Sequence, residues 1–238
     1  AINHADADAN VIIGKSAGQG GAAAMANCIV IGTSAMNSTA ANAQTGTIAV
    51  GYEALTALTS GAENIAIGYQ AADSINTGAG NTVMGYNAFS SATSENSNVV
   101  IGGEAGKSIR HDAADQNVII GRQACIGGTG NRADSVAIGY KAWGNDGNTN
   151  NVGGSENIFI GSLSGYGTWA TAASDGNTAV GYGTMIGAMN GAALNVAVGK
   201  NVLRAVTTGD SNTSVGSNSG YALSTGERNT FIGNSAGY

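Results

Sequence analysis

A predominantly apolar triplet stands between a polar residue, most often Asn, and a Gly thirteen times along this 238-residue chain. The series opens with Asn10-Val11-Ile12-Ile13-Gly14 and closes with Asn229-Thr230-Phe231-Ile232-Gly233, and successive glycines lie 17 to 22 residues apart. Such a period belongs to solenoids and stacked arrays. Each triplet predicts a short strand, each Gly a turn, and the Thr-, Ser-, Asn- and Gly-rich stretch that follows a polar return. The pattern predicts an all-β fold, a repetitive parallel β-solenoid of about 13 coils of 17–22 residues, forming a single module over residues 1–238.

Within a triplet the first position is always Val, Ile or Thr and the third always Ile, Val or Met. Period-2 alternation puts these two on one face, and their uniform, mostly β-branched character assigns that face to the interior. The second position runs from Ala49, Ala66, Ala137, Ala179 and Ala197 through Val and Ile to Phe159 and Phe231. It is read as an outward apolar face, which requires a second subunit to cover it. On this reading Ala49, Ala66, Val83 and Phe159 meet neighbouring chains, while Ile67 and Ile160 point into their own. Three residues after the Gly comes a small side chain, Ala in nine coils, as a narrow interior demands. The polar slot before the strand holds Asn in ten coils and Cys28, Thr47 or Ser135 in the others. The Asn suits it either as a turn residue or as a rung in a ladder of stacked amides.

Composition narrows the function. Only 10% of residues are charged, the net charge is −6, and no basic patch is visible, which excludes nucleic acid as a partner. No apolar run reaches the roughly 20 residues of a membrane-spanning helix, so direct membrane insertion is not expected. Pro is absent, as stacked strands prefer. Cys28 and Cys125 fall in coils too far apart to pair within one chain. The series starts within ten residues and stops in mid-coil after Gly233, so the chain is read as an excerpt of a longer fibre.

Segments such as Asn64-Ile-Ala-Ile-Gly-Tyr69, Ser135-Val-Ala-Ile-Gly-Tyr140 and Asn177-Thr-Ala-Val-Gly-Tyr182 resemble the head repeats of trimeric autotransporter adhesins. With the longer coils and returns such as Thr208-Gly-Asp-Ser-Asn212, they also resemble the repeats that precede the chaperone domain in bacteriophage tail fibres. The resemblance spans the chain. It implies a left-handed parallel β-roll, a side-by-side homotrimer, an extracellular position on a virion tail fibre or bacterial surface, and a role in host attachment. It transfers no catalytic residue and no cofactor, so the chain is not expected to be an enzyme. The coils are longer than the adhesin pattern, and neither a coiled-coil stalk nor a membrane anchor is present in the sequence.

Candidate chemistry is sparse. Ile13-Gly14-Lys15-Ser16-Ala17 matches one hexapeptide of the β-helix acyltransferases, which carry it three times per coil rather than once. Gly102 to Ser108 has one residue too few between its glycines for a phosphate loop. His4 and His111 are the only histidines, and His111, Asp112 and Asp115 lack a neighbouring nucleophile. Asp146, Asn148 and Asn150 offer oxygen ligands without an EF-hand spacing, so no metal is assigned. Five of the eight Tyr follow the repeat Gly directly, which reads either as a corner filler between coils or as an aromatic strip for sugars. Trp143 and Trp169 occupy the two longest returns, and with Asp146, Asn148 and Asp175 they form the candidate glycan-binding site, unless the indoles merely cover those loops. An ice-binding β-solenoid is the alternative, opposed by the interior placement of Thr82, Thr178, Thr213 and Thr230.

Overall fold

The computed structural model describes residues 9–20, 25–38, 44–110, 114–127, 130, 132–144, 154–169 and 172–238. Among them every predicted triplet is a strand and none is helical. The fold is an all-β parallel β-solenoid of about 11 turns. The chain divides into two compact units, Ala1–Gln116 and Asn117–Tyr238.

In the first unit the strands Val11–Ile13, Ile29–Ile31, Ile48–Val50, Ile65–Ile67, Thr82–Met84 and Val99–Ile101 pair in sequence order, parallel and in register, so that Ala49 sits beside Ala66 and Ala66 beside Val83. A two-strand ladder, Met25–Ala26 with Gln44–Thr45, adds to its early coils. In the second unit the strands Val118–Ile120, Val136–Ile138, Ile158–Ile160, Thr178–Val180, Val196–Val198, Thr213–Val215 and Thr230–Ile232 stack in the same way.

The turns are as regular as the strands. The repeat Gly has φ near +134°, as at Gly14 and Gly32, and the residues two and four places later are also left-handed, whatever their identity. In one coil these are Gly68 (φ 140°), Gln70 (φ 50°) and Ala72 (φ 53°). Gln70 N–H donates to Tyr52 O of the preceding coil at 2.8 Å, and Ala72 N–H to Ala88 O of the following coil at 2.9 Å. Left-handed backbone costs a non-Gly residue roughly 1–2 kcal/mol. The intercoil bonds it permits satisfy backbone groups that would otherwise be buried unpaired. The repeat Gly has a second reason: a methyl group on Gly181 would lie 2.7 Å from the carbonyl carbon of Gly199 in the next coil.

The interior is the reverse of the sequence expectation. Ala49, Ala66, Val83 and Phe159, expected to face other subunits, are buried in their own chain, whereas Ile67 and Ile160, expected inside, lie partly exposed on the outer face. The same inversion holds from Val30 to Ser214. Its cause lies across the core. The second strand position faces the residue six places later, four past the Gly, and in several coils a large residue at one is met by a small residue at the other. Ala49, Ala137, Ala179 and Ala197 are matched by the buried Leu55, Trp143, Met185 and Leu203, while Val100 and Phe159 are matched by Gly106 and Gly165. Size variation at the second position therefore marks close packing rather than a tolerant surface. The small residues three past the Gly, such as Ala35, Ala54 and Ser164, are buried as expected.

The Asn slot is a ladder. Asn64 Oδ1 accepts from both the backbone N–H and the Nδ2 of Asn81 at 3.0 Å, and Asn81 Oδ1 accepts likewise from Asn98 at 3.0 and 3.1 Å. In the second unit the same bonds join Asn157, Asn177, Asn195, Asn212 and Asn229. Ser135 fits the series because its Oγ accepts from Asn157 N–H at 3.0 Å, and Cys28 because its own N–H donates to Asn10 Oδ1 at 2.8 Å.

Candidate interaction surface

Because second positions fill the core, first and third positions line the outside of the sheet. In each unit this outer face carries only Ile, Val, Thr and Met, without one charged side chain. Val11, Ile13, Ile29 and Met84 are exposed in the first unit, and Ile158, Val198 and Ile232 in the second, with Ile13 at 59%. The remaining members of both rows are only partly covered. A contiguous apolar sheet face of this kind marks an interaction surface. Thr82, Thr178, Thr213 and Thr230 also lie on it, contrary to their expected interior position.

Beside this face in the first unit stand three exposed tyrosines. Tyr52 and Tyr69 stack at 5.0 Å between ring centres, and Tyr69 and Tyr86 at 5.5 Å, with interplanar angles of 15° and 22°. Tyr221 and Tyr238 stack similarly at 5.4 Å in the second unit. The rings thus fill corners between coils by covering one another. Both faces of Tyr69 are taken, leaving its edge and hydroxyl to solvent. Next to the ladder Gln70 Nε2 donates to Glu53 Oε2 at 2.7 Å. The Glu53 carboxylate, as hydrogen-bond partner and as nearby negative charge, pushes the Tyr52 phenol above its ordinary range.

Of the candidate glycan-binding residues, both indoles are buried. Trp143 and Trp169 are each only 1% exposed. They pack against each other at 5.8 Å and against Phe159 at 5.7 and 5.6 Å, and Trp169 Nε1 donates to Gly165 O at 3.2 Å. Neither indole offers a face to a sugar, because Trp143 occupies the core place opposite Ala137 and the largest side chains of these coils close around Phe159. Asp175 is exposed, but its Oδ1 accepts from Ser155 N–H of the preceding coil at 2.7 Å. Asp115 and Asp210, also two residues before the Asn slot, accept in the same way from Asn96 and Ala193. Asp175 belongs to that structural row. Asp146 and Asn148 lie outside the described residues, as do Asn150, His4, His111 and Asp112.

The other motifs resolve into packing. Gly106, in the phosphate-loop-like segment, faces Phe89 and Val100 in the core, and Lys107 pairs with Glu104 at 2.8 Å. Cys28 and Cys125 are both buried and free, and burial pushes the Cys28 thiol up. Among the described residues no three His, Cys, Asp or Glu side chains group to hold a metal, and no helix is long and apolar enough to cross a membrane. Comparison with family models, with curated proteins and with solved structures finds no match.

Proposed function

We propose that this chain is a structural and adhesive fibre module, of a phage tail fibre or a bacterial surface adhesin, in which three copies lie side by side as left-handed β-rolls and support attachment to a host cell. The observation that carries this reading is the outer sheet face, apolar in every coil and uncharged throughout. An apolar β-branched surface repeated at each strand spacing of about 4.8 Å is complementary to another copy of itself. The repeat resemblance supports the number three and the extracellular setting. The module supplies reach and rigidity, and the reading gives it no catalysis and no cofactor.

Adhesion is tested by offering the fluorescently labelled chain to bacterial and animal cells and to immobilised glycans. Saturable retention on one of these surfaces is expected. Absence of retention on all of them contradicts the adhesive role while leaving the structural one to be judged by oligomeric state.

A second reading has one observation in its favour. Thr178, Thr213 and Thr230 stand in register on the outer face of neighbouring coils, with only Val196 between the first two. An exposed Thr row on a flat sheet is the feature an ice-binding solenoid needs. Thermal hysteresis in the purified chain would favour ice binding over the fibre reading.

A further inference from the structure

Among the described residues of the second unit, one charged side chain is wholly enclosed. Arg132 is fully buried, and its Nη1 donates to the sulfur of Cys125 at 2.9 Å and to the Cys125 carbonyl at 3.4 Å. Its guanidinium carbon stands 5.0 Å from the centre of the Trp143 ring. The other edge of the guanidinium has no partner: neither Nε nor Nη2 finds an acceptor, and neither does Nε1 of the adjacent Trp143.

A guanidinium keeps its proton in any protein setting, and a buried charge without a counter-charge is strongly unfavourable. Among the described residues no carboxylate forms an ion pair with Arg132. The sulfur does not supply the charge either. Burial pushes the Cys125 thiol up more than the neighbouring Arg132 pulls it down, so it stays protonated near neutral pH. The π-face of Trp143 attracts the cation without neutralising it. Among the described residues no negative charge accepts from the Nε/Nη2 fork, the pair of parallel donors with which arginine grips anions.

We propose that the core of the second unit holds one small monovalent anion, a halide such as chloride, bound by Arg132 Nε and Nη2 and by Trp143 Nε1. One anion balances the single charge and gives the three unpaired donors an acceptor. The site is independent of the fibre reading and of the outer face.

The test uses the wild-type chain and halides as probes, with ionic strength held constant by sulfate. Iodide should quench tryptophan fluorescence along a saturating curve, because a bound heavy halide sits against Trp143, and chloride should reverse the quenching competitively. The melting temperature should climb with the logarithm of chloride concentration. In Arg132→Met both effects should vanish, leaving only weak, linear quenching. If that variant does not fold, the wild-type competition and melting series decide alone. Linear quenching that chloride does not reverse, or a melting temperature indifferent to chloride, overturns the proposal. A thiolate absorbance at neutral pH that disappears in Cys125→Ser also overturns it, since the sulfur would then be the counter-ion.

Discussion

A methyl group on Gly165 would lie 2.6 Å from Phe159 Cε1 and 2.7 Å from its Cγ, so these two residues, six apart in one coil, share a single place in the core. The backbone does not demand Gly there: Gly165 has φ 66°, and Met185 and Leu203 hold the same place in later coils at 49° and 45°. The Phe159 ring is what excludes a side chain. Phe159→Ala should cost about 3–5 kcal/mol by opening a cavity, and Gly165→Met alone should be at least as damaging through overpacking. Together they recreate the Ala179–Met185 pairing, so the double variant should regain at least half of the loss. Denaturant melts of the four proteins check this, and additive losses would contradict the pairing.

Trp143 and Trp169 belong to the same cluster around Phe159. Replacing either with Ala should lower stability by about 3–5 kcal/mol. Unchanged melting together with weaker attachment to cells would restore the indoles as surface binding residues.

The amide ladder makes a graded prediction at Asn177, whose Oδ1 serves Asn195 and whose Nδ2 donates to Ala192 O at 2.8 Å. Asn177→Ala leaves these buried groups unpaired, at about 1–3 kcal/mol for each group. Asn177→Ser should lose less, because Ser135 already serves Asn157 through its hydroxyl. Equal stability of the two variants in urea titrations would contradict the ladder's energetic role.

Asp73 gives the pH dependence a sign. Burial, first, pushes its carboxyl above the ordinary range, and Oδ1 has no hydrogen-bond partner. A carboxyl whose folded pKa is raised binds its proton more tightly when folded. Its contribution is therefore most favourable below the unfolded value of about 4 and is lost as pH rises through the raised folded value. Asp73→Asn should raise the melting temperature at neutral pH and have a smaller effect in acid. A larger gain in acid than at neutrality would contradict this.

Much of the fold was legible because the triplet, the Gly and the small residue three places later recur with a period that only stacked coils explain. The inward direction was not. Both strand faces are apolar, so alternation separates Ile65 and Ile67 from Ala66 without saying which side is the core. The deciding signal lay six residues downstream, where Ala137 meets Trp143 and Phe159 meets Gly165. The left-handed turn residues Gln70, Phe89 and Trp143 were hidden too, because side chains of these types do not announce such backbone and intercoil hydrogen bonds hold them there. The binding role of the two Trp was inferred from the length of the returns that carry them, a feature silent about whether an indole turns inward.

Sedimentation equilibrium of the purified chain, beside Met84→Lys, tests the apolar outer face most directly. Met84 is exposed at the third position of its strand, on the outer face of the sheet, so a charge there spares the buried core while opposing apposition of two outer faces. The wild-type mass should be that of three chains, and Met84→Lys should be folded and largely dissociated. A wild-type chain that sediments as a stable, folded monomer would contradict it.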